Sequence, residues 1–187
     1  MPSKIVHQAA TPHRTLPLLA EPPEGLDAID LLEADHRQLE ELFDRYDHAD
    51  FADKRLLASA ICVALKVHAR IEEDLFYPVA LEATGAADLL AEAQVEHAVA
   101  RELIAQIEQS QPGEPLFDAR VRVLGEYVGH HIIEEEDEIF PLCREAGLDL
   151  GGLGRDLASR RGALLHGLAI AGLGDRTDRA HNDGVRG

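Results

Sequence analysis

Apolar residues recur at spacings of three and four along most of the chain, which is the period of an amphipathic α-helix. Four such stretches cover residues 26–46, 52–82, 86–109 and 115–145. None of them shows the sustained alternation of polar and apolar residues that is typical of strands. Short connections between helices favour antiparallel neighbours. The pattern therefore predicts an all-α protein, built as an up-down-up-down antiparallel four-helix bundle.

The segments on either side of the bundle differ from it in composition. Residues 1–25 contain five prolines and one glycine, and this composition predicts an extended, flexible N-terminal arm. Residues 147–187 predict a Gly-rich C-terminal tail with a short helix around 155–170. Residues 26–146 carry 28 acidic and 10 basic groups, a net charge of −18, so the acidity belongs to the bundle.

Charge and cysteine content narrow the function classes. The whole chain has 18 Lys and Arg against 35 Asp and Glu, a net charge of −17. This balance argues against nucleic acid and against anionic membrane surfaces, because both are bound through Lys and Arg. Only Cys62 and Cys143 are present, too few for a disulfide framework, and no apolar run reaches the length of a membrane span. We expect a cytoplasmic protein.

Histidines occupy inward positions of the predicted helices, where apolar residues are the rule. His36, His68, His97 and His131 fall on the apolar stripes, one in each helix. The stripe of the fourth helix, for example, consists of Leu124, Val128, His131, Glu135, Ile139 and Leu142. A single inward histidine is usually a hydrogen-bonded core residue. Four of them, one from each helix, instead favour a shared metal centre, because each buried imidazole needs a polar partner.

A repeated motif adds carboxylates to this set. His68 is followed by Glu72 and Pro78, and 63 residues later His131 is followed by Glu135 and Pro141. Residues four apart lie on one face of a helix, so each His and Glu can reach the same ion or two adjacent ions. The acidic run 134–138 goes right round a helix, so at least one of its carboxylates points inward and needs a counter-charge.

These residues form a predicted ligand set of nitrogen and oxygen donors without thiolate, which suits iron, manganese or zinc. The set comprises His36, His68, Glu72, His97, His131 and Glu135. Two carboxylates, each able to bridge, favour two ions over one. His130, paired with Glu134, is the alternative to His131. A ferritin-like site needs Glu-x-x-His motifs on two helices, and only Glu33 with His36 fits that pattern.

The chain resembles hemerythrin-like proteins of the HHE cation-binding type over roughly residues 26–146. The resemblance is carried by Asp35-His36, His68-x-x-x-Glu72, Glu96-His97 and His131-x-x-x-Glu135. It implies an oxo- or hydroxo-bridged pair of non-haem irons, with both glutamates bridging and the six residues above as ligands. Oxygen-carrying members have a second histidine four residues after the one on the third helix, where this chain has Arg101. We therefore expect that one iron has a coordination position that is open, occupied by water or filled by another group.

The resemblance implies a protein that binds or reduces a small oxidant such as oxygen, peroxide or nitric oxide; the catalytic residues are unassigned. An iron-sensing or iron-storage module without turnover is the alternative. A structural bundle whose histidines are vestigial or bind zinc is a third hypothesis. Residues 148–155 and 168–175 are near repeats that resemble the peptides which load cargo into encapsulin shells, although neither copy has their serine. The near repeats therefore weakly predict that the tail binds such a shell.

Overall fold

The computed structural model describes residues 25–183, with side chains as far as residue 168. All of the predicted N-terminal arm except Gly25 lies outside these residues. The described part is all-helical and contains no strand, as the sequence predicts. Across it, no helix combines the length and hydropathy needed to cross a membrane.

Within residues 25–183, five helices follow one another. Helix α1 is Ala28–Asp47, α2 covers 51–84, α3 is Ala87–Glu108, α4 covers 117–145 and α5 is Leu150–Asp183. Asp27 starts α1, since its side chain accepts a hydrogen bond of 2.9 Å from the N–H of Asp30. Gly85 ends α2 with a left-handed backbone (φ of 69°). Helix α1 packs against α2, and α3 packs against α4.

Helices α2 and α4 each contain one wide π-helical turn. In α2 the turn spans Glu72–Phe76, between α-helical segments Phe51–Ile71 and Tyr77–Thr84. In α4 it spans Glu135–Ile139, between Phe117–Glu134 and Phe140–Glu145. The N–H of the residue after each turn donates to the carbonyl of the glutamate that opens it, five residues earlier. Both turns therefore begin at a predicted ligand, and π turns are frequent at functional sites.

The wide turns change which residues face inward beyond them. The α-helical period predicts that Leu142 faces inward, and that prediction is wrong, because its side chain is 38% exposed. Cys143 is buried instead. The π turn inserts one residue into the helical register, so the buried stripe moves by one position. A proline follows both turns, and proline cannot donate the regular backbone hydrogen bond.

The buried apolar side chains form two clusters, separated along α1 to α4 by a layer of buried polar residues. The lower cluster, at the end where α1 turns into α2, includes Leu39, Leu42, Ile61, Leu65, Ile104, Phe117 and Leu124. The upper cluster includes Ile29, Leu32, Ile71, Phe76, Leu90, Ile139 and Phe140. The polar layer consists of Asp35, His36, His68, Glu72, His97, His131, Glu135 and Arg161. All six predicted metal ligands therefore lie in a layer between two apolar clusters.

The segment predicted as a Gly-rich tail contains helix α5, which packs against α1 and α2. This helix extends beyond the predicted 155–170 at both ends. Packing of its first part on α1 and α2 compensates for its weak helix-forming glycines. Leu157 is fully buried, and Leu148, Leu150 and Leu153 pack against the upper cluster. The first Leu- and Gly-rich repeat, 148–155, is therefore part of the packed fold.

Gly154 allows α5 to approach α1 closely. A Cβ added there would lie 2.6 Å from the carbonyl oxygen of Leu26 and 2.8 Å from the backbone of Asp27. We expect Gly154→Ala to lower the free energy of unfolding by about 1–3 kcal/mol, because backbone atoms must move to admit the methyl group. Thermal unfolding of the full chain measures this loss.

Gly162→Ala is the matched control on the same helix. A Cβ there meets nothing within 4 Å, so the change should raise stability by about 0.5–1 kcal/mol through helix propensity. Equal effects of the two substitutions would contradict the close packing at Gly154.

Candidate metal centre

The six predicted ligand residues converge in the polar layer, although they come from four helices. His36 comes from α1, His97 from α3, and one His–Glu pair from each of α2 and α4. All six residues are buried, none more than 6% exposed as a whole residue. His130, the alternative on α4, has a side chain that is 65% exposed and pairs with Glu134 at 3.0 Å. Glu33 of the ferritin-like alternative is 44% exposed and faces Arg144.

One half of the centre joins α1, α2 and α4. The Nε2 atoms of His36 and His68 lie 3.1 Å apart. His36 Nε2 is 3.2 Å from Glu135 Oε2, and His68 Nε2 is 3.2 Å from Glu72 Oε1. The four side chains offer ligand atoms that all lie within 4.8 Å of one another. They can therefore converge on one cation.

The other half mirrors this arrangement across α2, α3 and α4. The Nε2 atoms of His97 and His131 lie 3.1 Å apart. His97 Nε2 is 3.4 Å from Glu72 Oε2, and His131 Nε2 is 3.5 Å from Glu135 Oε2. Each carboxylate thus contacts one histidine of each half. Two groups of side chains that could each hold a cation therefore lie side by side, and Glu72 belongs to both.

The unpartnered atoms of the centre fit metal ions. Both oxygens of Glu72 and Oε2 of Glu135 are buried without a hydrogen-bond partner. Leaving such an oxygen unpaired costs about 1–3 kcal/mol, and more when it is charged. A cation would satisfy these oxygens and the facing Nε2 atoms together. Imidazole and carboxylate donors without sulfur suit iron, manganese or zinc.

The electrostatics of the two carboxylates show the same need for positive charge. Burial, followed by the nearby carboxylate of Glu135, holds the pKa of Glu72 well above its usual range. Burial also acts to raise the pKa of Glu135, but the imidazoles of His131 and His36 outweigh it and hold that pKa low. Two carboxylates so close together resist double ionisation unless cations stand between them.

A second set of carboxylates faces the outer nitrogen, Nδ1, of each histidine. The pairs are His36 with Glu136 at 2.8 Å, His97 with Glu73 at 3.1 Å, His131 with Glu96 at 2.9 Å and His68 with Asp35 at 3.7 Å. The last distance is that of an ion pair and exceeds a hydrogen bond. Carboxylates in this position fix the orientation of the ring and direct its other nitrogen toward a metal.

The outer carboxylates follow a regular rule that the helical period does not reveal. Asp35 and Glu96 directly precede the histidines of α1 and α3, and each faces the histidine of the following helix. Glu73 and Glu136 directly follow the inner glutamates; Glu73 faces the histidine of α3, and Glu136 faces the histidine of α1. The signal in the sequence is an acidic residue beside a ligand, but only the fold shows which histidine each one contacts.

Two arginines hold outer carboxylates at the rim. Arg37 pairs with Glu136, and Arg101 pairs with Glu73. Arg101 is 51% exposed, so it lies on the rim and also secures the carboxylate behind His97. The residue that replaces the second histidine of oxygen carriers thus supports the centre from outside.

Two aromatic residues at equivalent positions of the repeat make the halves different. Tyr77 follows the first π turn, and its hydroxyl donates a hydrogen bond of 2.8 Å to Glu135 Oε1. Phe140 follows the second and stacks on His36, with ring centroids 5.8 Å apart. The helical period does not predict Tyr77 at the centre, because only the π turn brings it inward. Tyr127, one turn before His131, is 45% exposed.

A cavity of about 30 Å³ adjoins three of the histidines, His68, His97 and His131. Its remaining walls are largely apolar, with Leu39, Leu65, Ile104 and Val128 among them. Arg101 and Tyr127 also line it. The space suits a molecule the size of one or two waters.

Comparison with known proteins identifies the family of the chain. The family model for the hemerythrin HHE cation-binding domain matches residues 27–143, which include all six candidate ligands. The chain belongs to the hemerythrin HHE family. A crystal structure of an HHE cation-binding domain-containing protein from Mycobacterium kansasii is similar, with a TM-score of 0.68 and 25% identity. The match covers 78% of this chain and 91% of that one.

A second similar protein is a Nostoc protein named a DNA nickase. It is 29% identical to this chain over 122 residues, which are 65% of this chain. The match covers 34% of the Nostoc protein, so this chain spans about a third of that relative's length.

The unpartnered oxygens of Glu72 lead to a direct test of the centre. We expect Glu72→Ala to reduce bound iron from about two ions per chain to less than one, because both halves share this carboxylate. Elemental analysis after anaerobic iron loading measures the content. Glu138→Ala is the control, because Glu138 is an exposed carboxylate in the acidic run 134–138. This variant should retain full iron. Full iron in Glu72→Ala would contradict the assignment.

Proposed function

We propose that this HHE-family protein holds two non-haem irons and uses them to bind or reduce a small oxidant such as oxygen, peroxide or nitric oxide. The proposed ligands are His36, His68, Glu72, His97, His131 and Glu135. The observation that carries the proposal is the pair of shared, buried carboxylates between two histidine pairs, with three oxygens unpartnered. The first four helices, taken as an antiparallel up-down bundle, supply this interior.

Two irons, when bound, supply electrons and Lewis acidity for chemistry on a small oxidant. The chain's own residues hold the ligands in place. Outer carboxylates orient the four rings, and the apolar clusters above and below shield the layer from bulk solvent. The Tyr77 hydroxyl, 2.8 Å from Glu135 Oε1, holds a proton at the carboxylate.

The cavity beside His68, His97 and His131 supports small ligands over large substrates. Its volume of about 30 Å³ admits diatomic molecules or peroxide but no organic substrate of ordinary size. Arg101 lines this cavity and pairs with Glu73 without entering the ligand cluster. We infer that α3 contributes a single imidazole and that the cavity marks where an external ligand approaches.

DNA nicking is not carried over from the Nostoc relative. The net charge of −17 opposes binding to duplex DNA, since such binding rests on Lys and Arg contacts to phosphates. Binding to an encapsulin shell through the tail stays a prediction, and it now concerns residues 168–175, because the first repeat is packed against the bundle.

Metal content tests the proposal first. Elemental analysis of untagged protein should find about two irons per chain, as expected for a two-metal carboxylate site. Zinc alone, or no bound metal after iron reconstitution, would overturn the redox proposal and leave a structural or other metal-binding bundle.

Turnover is tested separately from binding. We expect the iron-loaded protein to accelerate hydrogen peroxide decay at least tenfold over the iron-free protein, and Glu72→Ala to lose this acceleration. The assay follows peroxide absorbance in the presence of a chelator that removes free iron. Full iron without peroxide decay, oxygen binding or nitric oxide reduction would favour the sensing or storage alternative.

A further inference from the structure

A buried arginine on the fifth helix contacts one of the outer carboxylates of the centre. Arg161 is 3% exposed and lies on α5, beyond residues 27–143 matched by the family model. Its Nε donates to Asp35 Oδ2 at 3.2 Å, and its Nη2 lies 3.1 Å from Asp35 Oδ1. This two-point contact fixes both the position and the plane of the carboxylate.

Asp35 is the carboxylate that faces His68. Its Oδ2, which accepts from Arg161, lies 3.7 Å from His68 Nδ1. That nitrogen is buried without a hydrogen-bond partner, so it depends on where Asp35 is held. A cavity of about 10 Å³ lies between Asp35, His68 and Arg161, the space that a single water needs. The imidazole can therefore approach the carboxylate directly or bind it through water.

We propose that Arg161 is a positioning residue, through which helix α5 orients the His68 ligand by way of Asp35. The inference rests on the proposed metal site and deepens it, because it makes the C-terminal helix part of the machinery of the centre. The charges of the polar layer support this role. Asp35, Glu72 and Glu135 are buried carboxylates there, and the guanidinium group of Arg161 adds a buried positive charge.

The other half of the centre is supported differently. Glu96, the counterpart of Asp35, is 14% exposed at its side chain and lies near His130 and Glu134 on the surface of α4. The half with His36 and His68 is thus secured by a packed fifth helix. The half with His97 and His131 is secured by a carboxylate at the solvent boundary. Through Arg161 and Asp35, helix α5 therefore acts on the half that contains His68.

Three variants test the inference: Arg161→Gln, Asp35→Asn and the double variant that combines them. Because all three break the same link to His68, we expect each to weaken metal binding about 10- to 100-fold, without additivity in the double variant. Anaerobic titration with Fe²⁺ gives the affinities. Titration with Co²⁺ gives a visible absorption spectrum that should shift in the variants, because the His68 ring is no longer oriented.

Stability separates a positioning role from a purely structural one. Arg161→Gln leaves Asp35 buried without its arginine and should lower the melting temperature of the metal-free chain. The double variant removes both charges and should recover much of this loss, while its metal affinity stays weak. Recovery of affinity together with stability, or a Co²⁺ spectrum equal to that of the unmodified chain, would overturn the inference.

Arg160→Gln is the matched control. Arg160 is the neighbour of Arg161 on α5 and binds Asp74 on α2 at 2.8 Å, while Arg70 holds the same aspartate at 3.0 Å. Its loss should leave metal affinity within twofold of the unmodified chain. If the unmodified chain binds neither Fe²⁺ nor Co²⁺, the proposed function fails. If it binds them and Arg161→Gln binds equally well, only the role of Arg161 fails.

Discussion

The oxygens of Glu72 and Glu135 lie at the middle of the protein, surrounded by imidazoles and closed off above and below by apolar side chains. Three of these four oxygens have no hydrogen-bond partner. Carboxylates in such a place are unfavourable unless positive charge lies beside them, because burial penalises the ionised form. The four imidazoles surround these oxygens, the outer carboxylates lie behind the imidazoles, and arginines pair with three of those carboxylates.

The backbone adapts to this constraint. Both glutamates open a π-helical turn, and a proline follows each turn after the same interval. The wide turn brings the residue five positions after the glutamate to the inner face, which places Tyr77 against Glu135 and Phe140 against His36. The repeat in the sequence is thus a repeat of backbone geometry as well as of ligands. The hydroxyl group of Tyr77, which Phe140 lacks, makes the two halves chemically unequal.

The fifth helix adds a further inequality. It packs against α1 and α2 through Leu157 and Gly154, and it sends Arg161 into the polar layer. Arginine suits this task because its planar group can contact both oxygens of a carboxylate and stays charged when buried. A segment whose composition resembles a loose tail therefore becomes part of the support of one histidine pair.

The sequence by itself determined the helical class, the residues that converge on the interior and the kind of chemistry they favour. His36 and Glu135, for example, can be identified because a polar residue on an apolar stripe needs a polar partner. Each of the four predicted helices carries at least one such residue. The family follows from the same residues.

Tertiary structure decided the pairings and the register. Local period cannot reveal a π turn, so it places Leu142 inward and gives no sign of Tyr77. Nor can it show that Asp35 serves His68 rather than its neighbour, since that contact crosses between helices. The role of Arg161 depends on where α5 packs, and packing between distant segments is set by the shapes of whole surfaces.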